Sequence, residues 1–205
     1  MQYLLEHLGV GVAAVTGVLA ARGKGVDLFG VIVLAVVTAF GGGTLRDLLV
    51  GETPVFWVRD PVFLLNATGV AVVAFFVARV REFPKSVLLV ADAFALALFT
   101  TIGVKKALLF DVAPAIAIAM GVITGVAGGI IRDMLAGEIP LVFRPAIYLY
   151  ATAALCGAVT FVVLNRWSQA EQMNMVLASG VTLLLRLAAI RWKLHLPVFR
   201  HRAER

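Results

Sequence analysis

The stretch Gly41-Gly42-Gly43-Thr44-Leu45-Arg46-Asp47-Leu48-Leu49-Val50-Gly51-Glu52-Thr53-Pro54 closes a nearly uninterrupted apolar run. Three consecutive glycines weaken a helix, yet here they stand just before an adjacent Arg-Asp pair. The chain repeats the statement at Gly128-Gly129-Ile130-Ile131-Arg132-Asp133-Met134-Leu135-Ala136-Gly137-Glu138-Ile139-Pro140. The reading of these two stretches decides the fold.

Their surroundings are those of a bilayer protein. Of the 205 residues 61% are hydrophobic and 15% charged, against about 25% charged in an ordinary soluble domain. So few polar side chains do not clothe a water-facing surface, and one membrane domain over residues 1–205 is expected. The net charge is +6, but the Lys and Arg residues are scattered through short loops and the tail rather than set in one stripe, which argues against a nucleic-acid partner. Cys156 stands alone and reads as a small packing residue. His7, His195 and His201 have no metal-ligand spacing. No nucleophile, base and orienting group fall together, so an enzyme is the weakest reading, and neither a metal nor a cofactor is expected. Val18-Leu19-Ala20 resembles a signal cleavage site, but no Lys or Arg precedes Arg22; the first segment is kept as a membrane helix.

A bilayer core about 30 Å thick is crossed by roughly 20 apolar residues in a helix. Windows of that kind fall at 4–21, 26–50, 61–80, 87–104, 112–136, 145–164 and 173–190, which makes seven spans. With the N-terminus outside, the inner segments hold Arg22, Lys24, Arg79, Arg81, Lys85, Arg132, Arg144, Arg191, Lys193, Arg200, Arg202 and Arg205, and the outer ones hold Arg46, Arg59, Lys105, Lys106 and Arg166. Twelve against five favours an outside N-terminus and a cytoplasmic C-terminus. Trp57, Trp167 and Trp192 fall near span ends, where an amphipathic ring sits at the membrane surface.

Shifting the chain against itself by 86 positions lays Gly42 on Gly128, Gly43 on Gly129, Arg46 on Arg132 and Asp47 on Asp133. Gly51, Glu52 and Pro54 then meet Gly137, Glu138 and Pro140, while upstream Ala35 meets Gly121, Ala39 meets Gly125, Gly17 meets Gly103 and Glu6 meets Asp92. The repeats run over about 4–80 and 87–164, followed by a seventh helix at 173–190 and a basic tail at 191–205. Each repeat holds three spans, an odd number, so the second copy is inverted relative to the first, as in many transport proteins.

The fold expected is therefore all-α and integral to the membrane, an inverted repeat of three plus three helices with a seventh, and with helices 2 and 5 broken at their glycines. Main-chain groups freed by such a break survive only against protein or a wet cavity. The half-helix ends would draw cations to exposed carbonyls and anions to exposed N–H groups. A second reading stays open beside it: Ala113, Ala117, Gly121, Gly125 and Gly129 recur at every fourth residue, as do Ala35, Ala39 and Gly43, which is also how membrane helices pack closely.

Ionisable residues inside spans cost about 2.5–3.5 kcal/mol on insertion scales and point to function; Arg46, Asp47, Asp92, Arg132, Asp133 and Arg186 are the six. Adjacent positions point about 100° apart on a helix, so Arg46 and Asp47 are expected to find other partners. One arrangement pairs Arg46 with Glu6 and Arg132 with Asp92, leaving Asp47 and Asp133 for a pathway; salt bridges that merely hold the helices are the competing account. Lys105 and Lys106 either reach the interface or, at a pore mouth, sense part of the transmembrane voltage. Asn66, Thr68, Thr100, Thr101 and Thr124 offer oxygen ligands or bond the preceding helical turn, and Arg186 is expected to reach toward the membrane surface.

The doubled pattern GGGTLRDLLVGETPVFW and GGIIRDMLAGEIPLVF, with DAFALALFTTIGVKKAL between them, resembles the prokaryotic branch of the trimeric intracellular cation (TRIC) channel family, whose bacterial members are also labelled glycine-transporter-domain proteins. The resemblance covers about 6–187. It implies a homotrimer in the inner membrane of a prokaryote, seven helices per protomer, one pore in each protomer and passive conduction of monovalent cations, chiefly K⁺ with Na⁺ also a candidate. It carries the family's kinks onto Gly41, Gly42, Gly43, Gly128 and Gly129, and its fourth-helix lysine onto Lys106. The second motif departs from the pattern, with Ala127 where a third glycine would stand. Three functions remain open: a K⁺ channel, a secondary transporter of a small zwitterion such as glycine, and a membrane scaffold without a pathway.

Overall fold

A computed structural model of the chain describes residues 2–144 and 149–194. The start of the expected sixth span at Pro145 and the tail residues His195, Arg200, His201, Arg202 and Arg205 lie outside the described residues. The described residues fold as α1 (Gln2–Ala21), α2 (Leu28–Leu49), a short α3 (Phe56–Arg59), α4 (Val62–Val80), α5 (Lys85–Leu108), α6 (Pro114–Leu135), a 3₁₀ turn (Leu141–Phe143), α7 (Tyr150–Trp167) and α8 (Glu171–Trp192). Six of these are long and apolar enough to cross a membrane: α1, α2, α4, α5, α6 and α8. Between α6 and α8 stands α7, with 18 residues.

Local chemistry sets the ends of the two repeated helices. The side chain of Asp27 caps α2 by accepting the Gly30 N–H at 2.8 Å, and Pro114 opens α6 at a position that needs no donor. Both stop in the same way. Gly51 and Gly137 adopt φ of 76° and 70°, and the following residues, Glu52 and Glu138, donate back to the carbonyls of Asp47 and Asp133, each at 2.8 Å. This is a Schellman closure, and it explains the glycine that ends each motif's helix.

The helices are not broken at their glycines. Helix α2 runs on through Gly41, Gly42 and Gly43, and α6 through Gly128 and Gly129. The reason for glycine is the crossing of these two helices. A methyl group on Gly42 would lie 2.0 Å from the carbonyl oxygen of Thr124, and one on Gly128 would lie 2.3 Å from that of Thr38. The shift of 86 turns the first contact into the second, so the two are mates about one pseudo-two-fold axis. The same rule holds within each repeat: a methyl on Gly17 would stand 2.6 Å from Ala35 Cα, and one on its counterpart Gly103 3.0 Å from Gly121 Cα. Backbones approach at small residues because dispersion, rather than hydrophobic burial, drives helix association in lipid.

The packing repeats with the sequence. Helix α1 packs on α2 and α4 as α5 packs on α6 and α7, and the pairs α1–α5 and α2–α6 meet across the axis. The extra helix, α8, lies on α5 and α7. Alanines fully buried at these faces, among them Ala14, Ala35, Ala67, Ala71, Ala117, Ala154 and Ala178, keep the helices close. Both lysines near the end of α5, Lys105 and Lys106, are inside the helix, which extends beyond the expected end at 104.

Candidate functional site

Two buried ionic clusters flank the α2–α6 crossing, one at each end. At the face where α1 begins, the N-terminal face, Arg46 turns back on its own neighbour: Nε and Nη2 donate to Asp47 Oδ1 at 2.9 and 2.7 Å. Lys106 Nζ of α5 reaches the same oxygen at 3.0 Å, and Asp47 Oδ2 accepts the Phe56 N–H at 2.9 Å. The expectation that neighbours 100° apart do not neutralise each other is corrected here: the long guanidinium arm spans the angle, and the Phe56 N–H together with Lys106 anchors the carboxylate where that arm reaches it. The proposed Arg46–Glu6 pair is also absent among the described residues. Glu6 instead accepts from Gln2 Nε2 at 2.8 Å. Glu52 completes the cluster with Lys106 and with Arg59, the latter at 2.9 Å.

At the opposite face Arg132 donates through Nε to Asp133 Oδ1 at 2.8 Å and through Nη1 to Asp92 Oδ1 at 2.8 Å and Thr16 Oγ1 at 3.0 Å. The Arg132–Asp92 pair is the one the sequence reading proposed. Asp133 also serves structure, since its Oδ2 accepts the Leu141 N–H at 2.8 Å. Glu138, the counterpart of Glu52, is bridged by Lys24 and by Arg144. Burying such groups is tolerable only when charges are paired and bonded with good geometry, and each aspartate following the glycines receives an arginine and a backbone N–H.

A cavity of about 130 Å³ opens beside the first cluster, lined in part by Glu6, Gly43, Arg46, Phe99, Lys106 and Thr124. Beside the second cluster only about 10 Å³ remains, bounded by Thr16, Thr38, Asp92, Phe99, Gly128 and Arg132 among others. Phe99 of α5 belongs to both walls. Nothing in the sequence marks Phe99, a phenylalanine in an apolar run.

The other expected residues are spread out. Asn66 is absent from both linings; its Nδ2 donates to the His7 carbonyl at 2.9 Å and ties α4 to α1. Thr100 is buried against Gly125. Thr101 accepts a hydrogen bond from Ser179 at 3.0 Å, joining α5 to α8. Thr124 bonds its preceding turn through the Met120 carbonyl at 2.6 Å and lines the larger cavity. Lys105 pairs with Glu171 at 3.2 Å. Arg186 does not reach the membrane surface. It is fully buried, with its guanidinium over the Tyr150 ring at 4.6 Å, and the Tyr150 hydroxyl in turn lies where a methyl on Gly129 would meet it at 3.1 Å.

A family model described as "Glycine transporter" matches the chain twice, over residues 3–79 and 89–166. The chain belongs to this family. The two matches begin 86 positions apart, which is the internal shift of the sequence. Curated relatives include the inner membrane protein YadS of Escherichia coli K12, 49% identical over 96% of this chain and 95% of the relative, and a membrane protein of Vibrio cholerae, 47% identical over 96% and 82%. Among solved structures, the TRIC trimeric intracellular cation channel orthologue from Rhodobacter sphaeroides superposes with a TM-score of 0.89 at 42% identity, covering 94% of this chain and 98% of that one. A prokaryotic TRIC channel determined in 0.5 M KCl gives a TM-score of 0.86 at 30% identity, covering 95% and 98%. The TRIC resemblance read from the doubled motif thus holds, and the protein is an integral membrane protein of a family of membrane proteins and channels rather than enzymes.

Proposed function

We propose that the protein is a cation channel conducting monovalent cations, chiefly K⁺, with one pore in each protomer of a homotrimer. The observation that carries this reading is a pair of spaces, one beside each buried ionic cluster of the α2–α6 crossing, with Phe99 in the wall of both. The solved structures most useful for comparison are named as TRIC cation channels. With both central helices unbroken, freed kink carbonyls are not available to strip water from an ion, so the oxygens of Glu6, Gln2 and Thr124 around the larger cavity take that role. Arg46 and Lys106 are offset by Asp47 and Glu52. The pathway is read as the product of a single membrane domain over 1–205, with repeats at about 4–80 and 87–164. In it α7 serves as a further span and α8 as a brace, the N-terminus is outside and the C-terminus cytoplasmic, the membrane is a prokaryotic inner membrane, and no cofactor is needed.

One observation favours a second reading. The lining of the larger cavity includes a carboxylate, Glu6, and two cations, Arg46 and Lys106, groups of both signs such as a small zwitterion like glycine needs at its two ends. Purified protein in planar bilayers separates the two. Unitary K⁺ currents reversing at the Nernst potential support the channel, whereas saturable exchange of labelled glycine without unitary currents replaces it with a carrier.

A further inference from the structure

The two halves of the pathway are built on corresponding positions whose charged residues are bonded differently. Shifted by 86, Glu6 corresponds to Asp92, Arg46 to Arg132 and Asp47 to Asp133. In one half the arginine holds its neighbouring aspartate through Nε and reaches across to Asp92 through Nη1. That half is shut down to about 10 Å³. In the other, both donating nitrogens of Arg46 rest on Asp47 Oδ1, Glu6 is bonded only to Gln2 among the described residues, and about 130 Å³ is open between groups that line the same cavity.

We infer that the pathway has two ionic gates, Asp92 with Arg132, shut in this structure, and its symmetry mate Glu6 with Arg46 at the N-terminal face, standing open. Closing it requires no change of fold. Arg46 keeps Nε on Asp47 and swings its terminal nitrogens to Glu6, reproducing the bonding of Arg132. Asp47 meanwhile retains Lys106 and the Phe56 N–H. Two substitutions bear on the difference between the halves: Lys106, which holds Asp47, has Ala20 as its counterpart, and a second one lies at the latch itself. Thr16, whose hydroxyl gives Arg132 a further acceptor at 3.0 Å, has Ile102 as its counterpart, and Ile102 lines the open cavity. The gate at the N-terminal face therefore lacks the hydroxyl that helps to hold the other one closed.

The inference rests on the pathway reading but is tested apart from flux. Val10 is buried and lines the larger cavity. In a Cys156→Ser background, Val10→Cys reports access to that cavity through its rate of modification by a charged thiosulfonate on the purified protein. Ile102→Thr is expected to slow modification about fivefold or more, the lower end of ordinary conformational coupling. Glu6→Gln is expected to raise the rate, and the double variant Glu6→Gln with Ile102→Thr to behave as Glu6→Gln alone. Gel filtration and a melting curve on each variant establish that it is folded. Unchanged rates in both single variants overturn the gate, as does a slowing by Ile102→Thr that survives Glu6→Gln, since that reports bulk and not a latch. Rates as expected in a protein that passes no K⁺ current uphold the gate and overturn the channel reading instead.

Discussion

Gly42 of α2 and Thr124 of α6 meet so closely that a single methyl group at position 42 would stand 2.0 Å from the Thr124 carbonyl oxygen. The atom in the way belongs to the main chain of a packed helix and does not turn aside. Gly42→Ala is therefore expected to force the crossing apart and to cost at least the 1–3 kcal/mol or so typical of overpacking. Gly41→Ala serves as the control, because the one crowded neighbour of its methyl is Ile131 Cδ1, at 2.8 Å, the end of a side chain that rotates, while the Gly128 backbone lies at an ordinary 3.6 Å. Thermal melts in detergent should show a clearly lowered midpoint for Gly42→Ala and little change for Gly41→Ala. Equal midpoints would remove close backbone approach as the reason for the glycines.

Arg186 comes from the one long helix outside the repeat and has no counterpart in the other half. It is wholly buried with its guanidinium 4.6 Å from the centre of the Tyr150 ring. A desolvated contact of this kind is worth about 2 kcal/mol, and it depends on a flat cation that stacks, which an ammonium does not replace. Arg186→Met and Arg186→Lys are both expected to lower the unfolding midpoint. A lysine variant as stable as the parent would mean that charge alone, and not stacking on Tyr150, holds α8 to α7.

Much of this arrangement was open to reading along the chain, for definite reasons. Membrane spans announce themselves because a lipid-facing helix tolerates few charges, and the repeat does so because Gly51-Glu52 and Gly137-Glu138 end two helices by the same left-handed turn. The Arg132–Asp92 pair was legible for a similar reason, since charges inside lipid must find partners. The glycine triplet misled because glycine both weakens a helix and permits close crossing; only the partner helix, with the Thr124 carbonyl in its path, decides between them. Arg46 was misassigned because residue spacing gives the direction of Cβ and not the reach of a guanidinium. Arg186 and Phe99 were invisible in their roles: each depends on which helices pack together, and nothing local in an apolar run separates a ring that lines a cavity from one that faces lipid.

Lys106 holds Asp47 and Glu52 at the N-terminal face, but neither depends on it alone. Asp47 keeps Arg46 and the Phe56 N–H, and Glu52 keeps Arg59. Lys106→Met is accordingly expected to fold, while removing one positive charge from the wall of the larger cavity. A full charge crossing the whole field gains about 2.3 kcal/mol per 100 mV, and a charge near one mouth feels a fraction of that. Single-channel recordings between about −100 and +100 mV should show a shallower voltage dependence of open probability. An unaltered slope would assign Lys106 to structure only.

Phe99 carries the sharpest test of the route. Its ring lies against the α1 backbone, where a methyl on Gly9 would meet Cε1 at 2.8 Å, and it forms a wall of both the 130 Å³ and the 10 Å³ spaces. Removing a well-buried phenylalanine ring costs about 3–5 kcal/mol, and here the loss is smaller because part of the ring faces cavity rather than packed atoms. Phe99→Ala merges the two spaces and takes away the apolar surface that an ion must pass, so unitary K⁺ conductance or open probability should rise, and Phe99→Leu, which keeps most of the bulk, should leave both near the parent value. The Asp92–Arg132 ion pair does not involve the ring. A rise in open probability without a rise in conductance would therefore mark Phe99 as a gate in series with that pair, whereas unchanged currents in Phe99→Ala would mean that ions do not cross between α1, α2, α5 and α6 at all.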